Sequence, residues 1–125
     1  KKQLIVNADD FGLAGGVNRA VIDAHAQGIL TSATLMANMP AFDEAVQLAK
    51  AHPALGVGLH FNITQGAPLA DASRVGSLLN ARGEFLGTST ALLKRWLTGA
   101  LKIGEVEIAR REHVEGKTLL SMTLP

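Results

Sequence analysis

Two short stretches hold the side chains best suited to chemistry. NADDFG, from Asn7 to Gly12, sets Asp9 and Asp10 side by side after the apolar run Leu4-Ile5-Val6. GLHF places His60 near the end of another apolar run, Leu55 to Phe61. Adjacent carboxylates repel each other, so a chain that keeps them together has a use for the charge. Successive side chains of an extended chain point to opposite sides, which lets one acid hold a metal while the other faces substrate or water. A carboxylate and an imidazole converging from nearby strand ends supply two of the three protein ligands of an open metal site. A cation there would also relieve the repulsion between the acids.

Other readings of the same residues compete. Acids after a strand can cap the next helix. The glycines of Gly12 to Gly16 suggest phosphate binding, but neither a P-loop nor a GxGxxG pattern is present. His60 alone would more often be a satisfied structural histidine, and its pairing with the acids is what raises it. Asn7 fits a structural role and a site-lining role equally. His25 falls in a helical stretch and His52 at a helix end before proline, both as surface or capping residues. His113 falls in a charged helix and is expected to be solvated.

The elements that must position these residues follow from hydrophobic periodicity. Leu4 to Ala8 reads as a buried strand, Gly12 to Gly16 as a loop. Val17, Ala20, Val21 and Ala24 then recur at helical spacing, with Asn18, Arg19 and Asp23 on other faces, and Gly28 is a plausible stop. Thr31 to Met36 reads as a second strand. Pro40 suits the first turn of a helix whose apolar stripe is Phe42, Ala45, Val46, Leu48 and Ala49. His52-Pro53 ends it, because the residue before proline avoids helical geometry. Leu55 to Phe61 is the third strand. Apolar strands alternating with helices indicate an α/β fold with a parallel βαβαβ core, in which ligands collect at the C-terminal ends of the strands.

One partial domain is expected over residues 1–125, built as a βαβαβ core (1–61), a long loop excursion (62–87), a helical part (88–113) and an atypical tail (114–125). Within the excursion, Val75 to Leu79 and Gly83 to Phe85 read as short extended pieces. Thr90 to Leu101 and Glu105 to His113 are the helix candidates. Three strands are few for a sheet and leave an open edge. The chain is therefore expected to be part of a larger fold or to complete itself as a homo-oligomer.

Composition sets limits. The chain has 125 residues, 47% of them hydrophobic, and a formal net charge of +1, which fits one small domain with a real core. The near-zero charge leaves no footprint for nucleic acid, which needs a clustered basic excess. No cysteine is present, so disulfides and thiolate metal sites are excluded. No apolar run approaches the roughly 20 residues of a membrane span, and Leu4-Ile5-Val6 is too short for a signal-peptide core, so a cytoplasmic location is expected. Aromatic residues are only 4%, which argues against an aromatic-lined sugar platform in this segment.

The runs LIVNADDFGL, GVNRAVIDAHAQGILTSATLM and GVGLHFNIT with its following PL resemble the YdjC-like carbohydrate deacetylases. That family includes the chitooligosaccharide deacetylases and the hopanoid-biosynthesis-associated deacetylase-like proteins. The similarity runs from about Lys2 to about Arg110. VGSLLNARGEFL, ALLKRWLTGAL and GEVEIARR resemble the family's loop and the two helices after it. The resemblance implies the βαβαβ portion of a variant (β/α) barrel, incomplete in this chain. It implies a hydrolase that removes the N-acetyl group of an amino sugar or chitooligosaccharide with one divalent metal ion, Mg2+ or Zn2+. Asp10 and His60 would be metal ligands and Asp9 the general base, with the substrate-binding residues unassigned. A second metal histidine, from a D-x-H-x-H motif, has no counterpart here, and His113 does not match it. The alternative expectation is a non-catalytic, truncated half-barrel that folds by oligomerising.

Overall fold

In the computed structural model, which describes residues 2–118, the first strand β1 is Asn7–Phe11. It begins at Asn7 rather than Leu4, so the two acids stand inside the strand and not after it. Of the apolar run before it, Val6 is half-buried while Leu4 and Ile5 are 74% and 78% exposed. Val6 already pairs with the next strand's approach, its carbonyl accepting from the Thr31 and Ser32 N–H groups at 3.0 and 3.1 Å.

The chain forms two compact units that divide after His60. In the first, β1, β2 (Ser32–Leu35) and β3 (Gly56–Leu59) make a parallel sheet in the order β1-β2-β3. Helix α1 (Gly15–Gln27) connects β1 to β2, and α2 (Phe42–Ala51) connects β2 to β3. This is the α/β, parallel βαβαβ architecture that the alternation of apolar runs indicates. α1 ends at Gly28, where a Cβ would stand 2.7 Å from the Ala24 carbonyl oxygen, so only glycine fits. α2 stops at His52 because Pro53 follows, and the His52 N–H turns back to the Ala49 carbonyl at 3.1 Å.

The core of this unit lies on one side of the sheet's period-2 pattern. Phe11, Ala33 and Leu35 are fully buried, and so nearly are Val21 of α1 and Phe42, Ala45, Val46 and Ala49 of α2. Complete burial of Phe11 contributes about 1.5–3 kcal/mol. The register Ala8↔Ala33 and Phe11↔Leu35 spans three steps on β1 against two on β2, a β-bulge at Asp9-Asp10. The extra residue lets Ala8 and Phe11 share one side although they are three apart.

The second unit begins at Phe61. Its loop turns on Asn62, whose side-chain oxygen accepts from the Thr64 and Gln65 N–H groups, both at 3.1 Å. The extended piece expected at Val75 to Leu79 is instead helical in part: 3-10 turns occupy Ala72–Arg74 and Gly76–Leu78. Asp71 caps the first by accepting from the Ser73 N–H at 2.8 Å, which starts a turn where the apolar pattern alone suggested a strand. An isolated antiparallel bridge joins Leu79 to Phe85, closed by Gly83 at φ 77°.

Helices α3 (Ser89–Leu97) and α4 (Ile103–Arg111) follow, and a π-helical segment, Glu112–Thr118, continues α4. Ala70, Val75, Leu78, Leu79, Phe85 and Ala109 form this unit's own core. Ser77 ties the turns to the helices. Its N–H donates to Glu105 Oε2 at 2.6 Å, its carbonyl accepts from Arg95 Nη1 at 2.7 Å, and its hydroxyl accepts from the Lys102 N–H at 3.0 Å. Burial pushes the Glu105 carboxyl up, but the Ser77 N–H and Lys102 outweigh it and hold the group below its usual range. His113, expected to be solvated, is fully buried, edge-on to Phe61 with ring centroids 5.3 Å apart. The atypical tail is described only to Thr118, and its last part, 119–125, lies outside the described residues.

Candidate active site

The bulge in β1 decides where the acids point. Along a regular strand Asp9 and Asp10 would face opposite sides, as their adjacency suggests. The inserted residue breaks that alternation, and both carboxylates reach the same small cluster. Asp10 adopts φ 64°, the left-handed region that costs an L residue about 1 kcal/mol, Asp tolerating it better than most. Its carbonyl accepts from the Leu13 N–H at 3.0 Å and closes the corner that leads into α1.

Thr34, at the centre of the sheet on β2, joins the cluster together. Its hydroxyl donates to Asp9 Oδ1 at 2.9 Å and lies 3.3 Å from His60 Nδ1. The single hydroxyl proton serves Asp9, so toward His60 the Thr34 oxygen can only accept. That places the ring proton on Nδ1 and leaves Nε2 as the nitrogen with a free lone pair. Asp10 Oδ1 stands 3.6 Å from the same Nδ1. His60 follows β3 directly, and its N–H extends the ladder to the Leu35 carbonyl at 2.9 Å, which fixes the ring's origin.

Asn7 lines this cluster. Its Nδ2 donates to Asp9 Oδ1 at 3.0 Å, and its Oδ1 accepts from the Ser32 hydroxyl at 2.9 Å. Asn7 and Asp9 on β1, Ser32 and Thr34 on β2, and the paired Gly56 and Gly58 on β3 thus make a polar row with no side chain on its third strand. Asp9 accepts two hydrogen bonds at one oxygen, and Asp10 and His60 are both partly open to solvent.

Helix capping does not account for the acids, because the N-cap of α1 is Ala14, with no side-chain cap hydrogen bond. His25 and His52 lie apart from the cluster, each with Nδ1 2.8 Å from a main-chain carbonyl, of Leu30 and Leu48. Among the described residues no group of three or more His, Cys, Asp or Glu side chains is placed to hold a metal ion. One carboxylate and one imidazole nonetheless form a donor pair that suits a divalent ion, and Asp10 and His60 are the residues that could hold it.

Two residues of this region escape pattern reading. Thr34 is apolar-flanked and reads as one more β-branched strand residue; its signal is the polar alternation Ser32, Thr34 in register with Asn7 and Asp9. Asn18 reads as a solvated face of α1 yet is 0% exposed. It stands three residues before Val21, on the buried stripe, and that spacing is the signal.

The class defined by the fold is α/β: a parallel sheet that gathers two aspartates and a histidine near its strand ends. The chain matches the family model "YdjC-like protein" over residues 3–113 and belongs to that family. It is 57% identical over 89 residues to a carbohydrate deacetylase of Geobacillus stearothermophilus, a stretch covering 71% of this chain and 35% of that protein. It is 42% identical over 108 residues to a chitooligosaccharide deacetylase of Yersinia enterocolitica, covering 86% of this chain and 38% of that one. A crystal structure from Enterococcus faecalis V583, described as a cellobiose-phosphate cleavage protein, superposes with a TM-score of 0.73 at 29% identity, covering 89% of this chain and 44% of that one. The chain thus spans about a third of the length of these deacetylases. Among the described residues no helix is long and apolar enough to cross a membrane.

Proposed function

We propose that this chain carries part of a deacetylase site that hydrolyses the N-acetyl group of an amino sugar or chitooligosaccharide. The observation that supports it most is the convergence of Asp9, Asp10 and His60 around Thr34, which a β-bulge and a left-handed aspartate produce. The deacetylases to which the chain is similar point to the acyl group and the sugar. Asp10 and His60 are the proposed ligands of one divalent ion, Mg2+ or Zn2+, which when bound supplies Lewis acidity and an activated water.

Asp9 is the proposed general base. Asn7 and Thr34 donate to one of its oxygens and hold the carboxylate in place. It takes the proton of the attacking water as oxygen adds to the amide carbon. With Thr34 against Nδ1, His60 would offer Nε2 to an ion, and the bare glycines of β3 would leave room beside the polar row for the substrate.

Calorimetric titration of the chain with Zn2+ and then Mg2+ tests the reading. Micromolar binding is expected that disappears in both Asp10→Ala and His60→Ala, while the Asp9→Asn change made in a full-length relative should keep the ion and lose acetate release from an N-acetylated chitooligosaccharide. Binding that survives both ligand variants would refute the ligand assignment. A second reading, a non-catalytic half-barrel that completes itself by self-association, draws on the two-ligand donor set and on the edge strands β1 and β3. Light scattering that finds a stable oligomer, with no bound ion and no acetate release, would favour it.

A further inference from the structure

We propose that Asn18 is a positioning residue for the acidic corner: its buried carboxamide clamps the Gly12 peptide to α2 and thereby keeps Asp10 in the left-handed conformation that carries its carboxylate to His60. The inference goes beyond the proposed metal site, and only its consequence for metal affinity rests on that reading.

The clamp is a closed ring. The Gly12 N–H donates to Asn18 Oδ1 at 2.8 Å, Asn18 Nδ2 donates to the Ala41 carbonyl at 3.0 Å, and the Ala41 N–H returns to the Gly12 carbonyl at 3.0 Å. The second Asn18 N–H donates to Glu44 Oε2 at 2.8 Å. Oδ1 and both N–H groups of the carboxamide are therefore in use, in a side chain with no exposure at all. Buried amides so fully satisfied define a single geometry, because any rotation strands a donor or acceptor away from water.

What that geometry fixes lies two residues from the acid. Asp10 at φ 64° and Gly12 at φ 95° bracket Phe11, which is anchored by its buried ring and by its carbonyl accepting from the Met36 N–H at 2.7 Å. The corner has one further tie, the Asp10 carbonyl to the Leu13 N–H. Without Asn18 the Gly12 N–H loses its acceptor, and the segment from Asp10 to Leu13 keeps only the Ala41 N–H to Gly12 carbonyl bond as its hydrogen-bonded tie to the start of α2. An aspartate so loosened favours the extended region over the left-handed one, and that change swings its carboxylate away from His60. Asn18 touches neither Asp10 nor His60 by any hydrogen bond described, so it acts through the backbone.

The test reads the Asp10 backbone itself. In the isotopically labelled chain, the Asp10 Cα and Cβ shifts and its HN–Hα coupling report φ, and the Gly12 amide exchange rate reports the clamp. Asn18→Leu should speed Gly12 exchange at least tenfold and move Asp10 to extended values, while the resonances of Ala33 and Leu35 keep their positions. Zn2+ affinity should fall at least tenfold. Asn18→Asp combined with Glu44→Gln keeps the acceptor for Gly12 and a donor at position 44, giving up the donor to the Ala41 carbonyl, and should keep Gly12 exchange slow and the native Asp10 values. A folded Asn18→Leu with native Asp10 values would overturn the inference. So would non-native Asp10 values in the folded double variant, which decides the matter if Asn18→Leu does not fold. A wild-type chain that binds no Zn2+ would remove the metal reading and leave the backbone result standing.

Discussion

Gly12→Ala probes the same corner from the other side and yields a magnitude. Gly12 has φ 95°, and a Cβ built there would lie 3.2 Å from Leu35 Cδ1 and 3.2 Å from the Met36 carbonyl oxygen. Leu35 is fully buried in the core and the Met36 oxygen is backbone, so neither can move aside cheaply. The positive φ costs alanine about 1 kcal/mol, and forcing a methyl into a packed site about 1–3 kcal/mol. A total of about 2.5 kcal/mol corresponds, for a unit of this size, to a melting temperature lower by about 10–20 °C. Circular dichroism melts measure it, with Gly16→Ala as control, because nothing lies within 4 Å of a Cβ at Gly16 and its φ is not positive. The control should melt at or slightly above the parent temperature. A loss under about 4 °C in Gly12→Ala would refute the argument, since it would mean that the corner relaxes freely and does not constrain Asp10.

Two further expectations concern the cluster and the second unit. Thr34→Val removes the hydroxyl that bridges Asp9 and His60 but keeps the shape, so stability should change by less than about 1 kcal/mol while metal affinity falls about 10–100-fold; equal affinity in calorimetry would remove Thr34 from the site. Burial holds the His113 imidazole below its usual range, and the hydrogen bond to the Ala109 carbonyl only partly opposes this. The unfolded chain then takes up the proton first. The His113 contribution is fully present above about pH 6.5 and is lost as pH falls through the lower folded value. Urea midpoints should drop between pH 7.5 and 5.5 in the parent and less in His113→Leu, and parallel drops in both would assign the effect elsewhere.

Much of the first unit can be read from the chain itself. The β-α-β-α-β order, the helix stops at Gly28 and before Pro53, and the choice of Asp9, Asp10 and His60 as candidates all come from periodicity and residue type. These are local properties, set by side-chain spacing, missing N–H groups and φ preferences. The strand start at Asn7 was hidden, because burial depends on what packs above a residue, and Leu4 and Ile5 stay largely exposed. The 3-10 turns around Ser77 and the burial of His113 were hidden for the same reason: partners distant in sequence supply them.

The acids show where the division falls. Their identity and adjacency are written in NADDFG, and a regular strand would have sent them to opposite sides. The tertiary structure brings both to one cluster, because β2 imposes a register that needs an extra residue in β1 to keep Ala8 and Phe11 on the core side. That demand comes from Ala33 and Leu35, and the hydrogen bonds of Asn18 hold the corner beyond it. Sequence chose the chemistry; strand register and a buried amide fixed its direction.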